Sequence, residues 1–239
     1  MKKYRHLFFD LDNTLWDFNL NSYYALKHTF EMYHLDINLY ERFFSVYSAN
    51  NERLWDLYRQ NKITKEELSN SRFEISFLET GIEGINAADF NRDYLSQLPL
   101  QNRLCDGARS VLEKLSEKYS MHIITNGFVE VQYKKLENSN LSHFFGKVFV
   151  SEEIKSPKPS PEIFRHALKT SNARKKESLM IGDSWEVDIV GALEIGMDQV
   201  FYNPSQEVTE GEKQLVSQKS GSKTMTYYIQ NLDELLTFL

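Results

Sequence analysis

One cysteine in 239 residues is too few for a disulfide within the chain or for a cysteine-rich zinc site. Cys105 standing alone suits a reducing compartment, and cytoplasm is the default expectation. Excess positive charge is also lacking. The 28 Lys and Arg against 34 Asp and Glu leave a formal net charge of -6, which disfavours a protein that coats a nucleic acid polymer, because that affinity comes from many basic contacts to phosphates. A small anionic substrate stays compatible if positive charge is local. Long apolar runs are missing as well: behind Lys2, Lys3 and Arg5, the run Leu7-Phe8-Phe9 is cut short by Asp10 and Asp12, so neither a signal segment nor a membrane span is expected. There is no internal repeat and no low-complexity tract. What is present, 41% hydrophobic residues, can fill one large domain or a core with a smaller insertion.

His6-Leu7-Phe8-Phe9 reads as a short buried strand that runs into the polar loop Asp10-Leu11-Asp12-Asn13-Thr14. From about residue 16 to residue 100 the pattern is helical, with Phe43, Tyr47, Leu54 and Tyr58 on one stripe and a capping-box signature at Thr64-Lys65-Glu66-Glu67. This stretch is expected to be an all-helical insert. After Pro99, helix and strand alternate: a helix over 108–118, a strand over 121–124, a helix from Val129, a strand over 147–150, a helix opening at Ser160-Pro161, strands over 178–181 and 198–202, and a helical segment over 187–194 between them. Alternation of this kind predicts an α/β fold, a doubly wound parallel sheet with helices on both faces. Residues 203–226 are polar and without period, and are read as a surface loop with at most one helical turn.

In open parallel sheets ligands bind beyond the carboxyl ends of the strands. The polar residues at those places are Asp10 and Asp12, Thr125-Asn126-Gly127, and Gly182-Asp183-Ser184 with Asp188, joined by Lys158 in a loop between Pro157 and Pro159. Each has a plain structural reading taken singly: an Asx turn, a turn pair, a solvated lysine, an exposed helical carboxylate. Together they make a phosphoryl-transfer set. Asp10 can act as nucleophile and form an aspartyl-phosphate that water later hydrolyses. Asp12 can protonate the leaving oxygen and then deprotonate the attacking water. Thr125, the backbone N–H of Asn126 and Lys158 can hold the phosphoryl oxygens. Three carboxylates facing a phosphate dianion need a cation, and Mg²⁺ suits an all-oxygen site made by Asp10, the Asp12 carbonyl and Asp183, with Asp188 in support.

These residues resemble the signature motifs of the haloacid dehalogenase superfamily: Asp10-Leu11-Asp12-Asn13-Thr14, Thr125, Lys158, and Gly182-Asp183 with Asp188. The resemblance runs through the whole chain. It implies a Rossmann-like catalytic core over residues 1–15 and 101–239, and a helical cap domain over residues 16–100. It assigns the nucleophile to Asp10, acid and base to Asp12, phosphate contacts to Thr125 and Lys158, and metal to Asp183. Within the superfamily, Leu54-Trp55, Tyr58, Ile63-Thr64, Leu68, Arg72-Phe73-Glu74, Ile124-Thr125-Asn126-Gly127-Phe128 and Ser151-Glu152-Glu153 resemble bacterial pyrimidine and non-canonical 5′-nucleotidases, which implies a nucleoside monophosphate as the small-molecule substrate. At Lys155-Ser156-Pro157 relatives usually carry a glycine and small residues, so Lys155 is a rival to Lys158.

In the helical segment, Asn50 and Asn51 interrupt the stripe from Tyr47 to Leu54, and Arg72 sits between Leu68 and Ile75 at helical spacing. Arg72 and Asn51 are candidate contacts to a base or sugar, with Trp16 or Phe18 as a stacking surface. The alternative is a buried polar network. A sugar-phosphate phosphatase of the acylneuraminate 9-phosphatase kind or a phosphomutase would share every catalytic group. A haloalkanoic-acid dehalogenase would not need Asp12, and a phosphate-binding module would not need the complete set.

Overall fold

The protein, a computed structural model describing residues 4–204 and 224–239, divides into two compact units, Asn19–Asn102 and the remainder. Four helices build the first: Phe18–Met32 (α1), Tyr40–Arg59 (α2), Lys65–Thr80 (α3) and Ala87–Gln97 (α4). The helix start at α3 is the expected capping box, with Glu67 N–H donating to Thr64 Oγ1 at 3.1 Å and Thr64 N–H to Glu67 Oε2 at 2.7 Å. Gly81 closes the same helix in the left-handed conformation, at φ 73°. Aromatic rings fill the interior. Phe43, Tyr47, Phe73, Phe90 and Tyr94 are buried and meet at centroid distances of 5.0–6.3 Å, offset or edge to face. Of the predicted stripe, Phe43, Tyr47 and Leu54 are buried and Tyr58 is half-buried.

The second unit is a six-stranded sheet. Its strands are His6–Phe9 (β1), Ser120–Thr125 (β2), Phe145–Val150 (β3), Ser178–Gly182 (β4), Asp198–Tyr202 (β5) and Thr226–Ile229 (β6), in the order β3-β2-β1-β4-β5-β6 with every neighbouring pair parallel. Runs such as Leu179-Met180-Ile181 are apolar without alternation because both faces of a parallel sheet are covered. The chain steps outward from β1 to β3 and returns on the other side of β1 as β4, so right-handed crossovers put helices on opposite faces, which is the doubly wound arrangement. Phe9 pairs with Ile123 on one side and Ile181 on the other. The loops after β1, β2 and β4 therefore leave the sheet side by side at the point where strand order reverses.

The remaining helices are Ala108–Ser116 (α5), Val129–Asn138 (α6), Ser151–Ile154 (α7), Pro161–Thr170 (α8) and Val190–Glu194 (α9). Four sequence expectations need correction. The helix over 108–118 stops at Ser116. The segment over 187–194 opens as a π-helical turn, Trp185–Ile189, before α9. Ser160 is the N-cap residue of α8 and Pro161 its first residue, but the Ser160 hydroxyl turns to Glu162 rather than to a free backbone N–H. Thr226 is not loop but the start of β6, and residues 205–223 of the expected loop lie outside the described residues. β6 is held by the buried Asp198 on β5, which accepts from Tyr4 Oη at 2.7 Å and from Met225 N–H at 2.9 Å. Among the described residues no helix is long and apolar enough to cross a membrane.

Candidate active site

Three carboxylates meet where β1 and β4 end. Asp10, Asp183 and Asp188 each place an oxygen within 4.8 Å of the others. Asp10 follows directly from β1 and is tied to β4 by its N–H, which donates to Ile181 O at 2.9 Å. Asp183 follows Gly182 and accepts from Thr14 Oγ1 at 2.8 Å. Asp188 is brought back to the strand end by the π-helical turn, where Ser184 N–H donates to its Oδ2 at 3.1 Å. A side chain at Gly182 would collide with the Asp188 carboxylate, so glycine is what lets the two segments close.

Burial and repulsion dominate the electrostatics. Burial first, then the neighbouring Asp188 and Asp183, push Asp10 well above the usual carboxylate range, while Lys158 opposes them. Burial and Asp188 likewise push Asp183 up to about 7, against the Thr14 hydrogen bond. Lys158 is buried and donates to Asp10 Oδ1 at 2.5 Å and to Asp188 Oδ1 at 2.6 Å. Burial alone would lower its pKa, but the two carboxylates outweigh that and hold it above the ordinary lysine value. Three carboxylates and one ammonium leave the cluster short of positive charge. Closely set, hard oxygen donors of this kind fit a small divalent cation.

Lys158 is presented by Asn126. The Asn126 side chain accepts from Lys158 N–H at 2.8 Å and donates to Lys158 O at 2.9 Å, a two-point clamp across the loop. Lys155, the rival lysine, is exposed and left-handed at φ 57°, where it ends α7. Lys158 is the one that reaches the carboxylates. Glu152 and Glu153 have scaffold tasks: Glu152 accepts from Val129 N–H at 2.8 Å and so caps α6, and Glu153 accepts from Tyr133 Oη at 3.1 Å.

Thr125, at the end of β2, is buried and receives a hydrogen bond from Gln132 Nε2 at 2.6 Å. Gln132 also donates to Asp12 Oδ2 at 3.0 Å, and Lys135, one turn further along α6, donates to Asp12 Oδ1 at 2.6 Å. A side chain at Gly127 would strike Gln132. Gln132 and Lys135 escaped the sequence reading because a glutamine and a lysine on a charged helix read as solvated. Their spacing of three behind Thr125-Asn126-Gly127, beside the buried Val131 and Leu136, was the available signal. Trp16 corrects another expectation. Its ring is fully buried, with Nε1 donating to Ser139 Oγ at 3.1 Å and Lys135 Nζ 4.3 Å from the ring centroid, so it has no free face for a base. Phe18 is half-buried, with the same ammonium 5.2 Å from its ring.

Within the helical unit Arg72 is buried and donates to Asn51 Oδ1 at 3.1 Å and to Asn91 Oδ1 at 2.5 Å, with its guanidinium 5.2 Å from the Phe73 ring and 5.4 Å from the Tyr94 ring. Arg72 and Asn51 thus join α2, α3 and α4 from inside, which is the polar-network alternative. Asn50 Nδ2 reaches Glu79 Oε2 at 3.5 Å.

The family model described as haloacid dehalogenase-like hydrolase matches residues 7–202. The chain is similar to YfnB of Bacillus subtilis, named only as a HAD-type hydrolase, with 32% identity over 240 residues, covering 100% of this chain and 97% of that one. The solved YfnB structure, which is bound to magnesium, superimposes with a TM-score of 0.84 at 30% identity, over 100% of this chain and 99% of that one. The pyrimidine 5′-nucleotidases PynA of Streptococcus pneumoniae and YjjG of Escherichia coli are 34% and 31% identical, over 84% of this chain in both cases and 84% and 87% of theirs.

Proposed function

The chain belongs to the haloacid dehalogenase-like hydrolase family, and from that membership we propose that it is a phosphatase that cleaves phosphate monoesters through an aspartyl-phosphate on Asp10. The observation that carries the reading is the meeting of Asp10, Asp183 and Asp188 around the buried Lys158 at the strand ends. Phosphate-monoester hydrolysis is among the slowest uncatalysed reactions, and it needs a placed nucleophile with concentrated positive charge around the phosphoryl oxygens.

In the first half-reaction an Asp10 carboxylate oxygen attacks phosphorus. The ester P–O bond breaks with its electron pair passing to the leaving oxygen, which takes a proton from Asp12. In the second, Asp12 accepts a proton from water as the water oxygen attacks the same phosphorus, the bond to Asp10 breaks, and inorganic phosphate leaves. Thr125, the Asn126 N–H and Lys158 hold the phosphoryl oxygens where charge develops. Asp10, Asp183, Asp188 and the Asp12 carbonyl would hold Mg²⁺, which when bound neutralises the charge that these carboxylates and the phosphate bring together. Lys158 cannot do this alone, since it already serves Asp10 and Asp188.

The substrate proposed is a nucleoside 5′-monophosphate. It is supported by the similarity to PynA and YjjG over most of the chain. Selection among phosphate esters is assigned to the helical unit, with Arg72 and Asn51 acting on it from within. A phosphate-release screen over nucleotides and sugar phosphates, with Mg²⁺ and with chelator, tests the reading. Nucleotide turnover that requires Mg²⁺ is expected. Preference for a sugar phosphate over every nucleotide would overturn the substrate, and full turnover with chelator would overturn the metal.

A further inference from the structure

Asp12 is the one acid of the site whose two carboxylate oxygens are both held by side chains of a single helix. Lys135 Nζ donates to Oδ1 at 2.6 Å and Gln132 Nε2 to Oδ2 at 3.0 Å, both from α6. The side chain of Lys135 is only 2% exposed, against 25% for that of Asp12. A lysine head is costly to bury, and here its surroundings are Asp12 and the rings of Trp16 and Phe18. Trp16 is itself fixed by its bond to Ser139, and Gln132 by its second bond, to Thr125 Oγ1 at 2.6 Å. The Asp12 carboxyl is therefore set in angle and distance relative to Thr125 by a chain of buried and half-buried contacts.

We propose that Lys135 and Gln132 are positioning residues that fix the Asp12 carboxyl in the orientation its proton transfers require. The inference rests on the acid and base role of Asp12 in the proposed function. An ion pair that only fastened α6 to the β1 loop would affect every substrate alike. A positioning role has a different signature, because a proton from Asp12 matters in proportion to how poor the leaving group is. An alkoxide leaving group needs it, whereas p-nitrophenolate departs without it. Since kcat/KM reports the steps up to departure of the leaving group, the ratio of kcat/KM for an alkyl phosphate to that for p-nitrophenyl phosphate isolates the effect.

The experiment measures that ratio for the full-length wild type, Lys135→Met, Gln132→Met, Asp12→Asn and Lys135→Met/Asp12→Asn, using the alkyl phosphate that wild type turns over fastest. Lys135→Met is expected to lower the ratio by about 10–100-fold and Gln132→Met to lower it less, with Asp12→Asn lowering it at least as far as Lys135→Met. In the Asp12→Asn background, Lys135→Met is expected to change the ratio by less than about threefold, because the carboxyl it positions is gone. If Lys135→Met does not fold, Gln132→Met carries the same test. A lowered ratio in Asp12→Asn with an unchanged ratio in the clamp variants overturns this inference and leaves the role of Asp12 standing. An unchanged ratio in Asp12→Asn overturns that role, and the inference with it.

Discussion

With divalent ions chelated, one contribution to the stability of this protein should fall as pH rises from about 4 to about 7, against the opposite contribution of His122, and saturating Mg²⁺ should remove that fall. The cause is Asp183, whose carboxyl stands at 3.8 when unperturbed and is pushed up to about 7 in the folded site by burial and by Asp188. Between those values the folded chain binds a proton that the unfolded chain has released, so unfolding becomes easier as pH rises through the window. At about 1.4 kcal/mol per pH unit the full effect is on the order of 4 kcal/mol. A divalent ion takes the place of that proton, and at a hundred times its Kd it adds about 2.7 kcal/mol. For a chain of this size that corresponds to a rise in Tm of roughly 5–10 °C. The ion must compete with the proton at low pH, so the rise should be largest at pH 8 and less than half as large at pH 5. Thermal melting at both pH values, with chelator and with Mg²⁺ at matched ionic strength, reads this directly. Asp183→Asn should raise the Tm of the metal-free protein at pH 8 and abolish the Mg²⁺ shift. An Mg²⁺ shift equal at the two pH values, or absent at both, would refute the reasoning.

Asp10→Asn should reduce phosphate release by more than about a thousandfold, since it removes the proposed nucleophile, while circular dichroism shows an intact fold; undiminished turnover would rule Asp10 out. Arg72→Ala removes the Arg72 donor from the Asn91 carbonyl and leaves the Asn51 carbonyl only the long bond from Tyr47 Oη at 3.5 Å, at about 1–3 kcal/mol for a buried group left unpaired. It should lower Tm and impair pyrimidine nucleoside monophosphates more than p-nitrophenyl phosphate, and equal loss on both would argue against a role in selection. Burial, helped by His6 and Lys147, holds His122 down at about 4, so as pH falls from about 6.5 to about 4 the unfolded chain gains a proton that the folded chain does not. Measured with Mg²⁺ present, stability should fall over that window, and His122→Phe, which keeps the ring stacked on Phe8, should flatten the fall. A variant with the wild-type slope would contradict this.

The parts of this fold that were readable in sequence are those where one local pattern had one physical solution. Leu7-Phe8-Phe9 must be covered on both faces, and Thr64 with Glu67 can satisfy each other only at a helix start. Polar residues directly after apolar runs marked Asp10, Thr125 and Asp183 because a parallel sheet presents strand ends together. What stayed hidden depends on contacts distant in sequence. β6 is a strand because Asp198 and β5 lie beside it, and Tyr227-Tyr228 has no alternation to announce it. Lys135 is buried only because Asp12, 123 positions away, receives it. Trp16 was visible as an aromatic at the right loop, but its burial beneath Lys135 and Ser139 is a matter of packing. Arg72 and Asn51 were visible as polar interruptions of an apolar stripe. That they bond to each other is a fact of how α2 and α3 pack.

The claim on which the mechanism turns is that Asp10 carries the phosphoryl group. The wild-type protein, mixed with substrate and Mg²⁺, quenched in acid within one turnover and digested, can be searched by mass spectrometry for a peptide that has gained one phosphoryl group, with borohydride reduction to mark an acyl phosphate. The mark is predicted on the peptide containing Asp10, at that residue, and absent from Asp10→Asn. Normal turnover with the mark on another side chain, or with none at any quench time while a burst of leaving group is seen, would contradict the account.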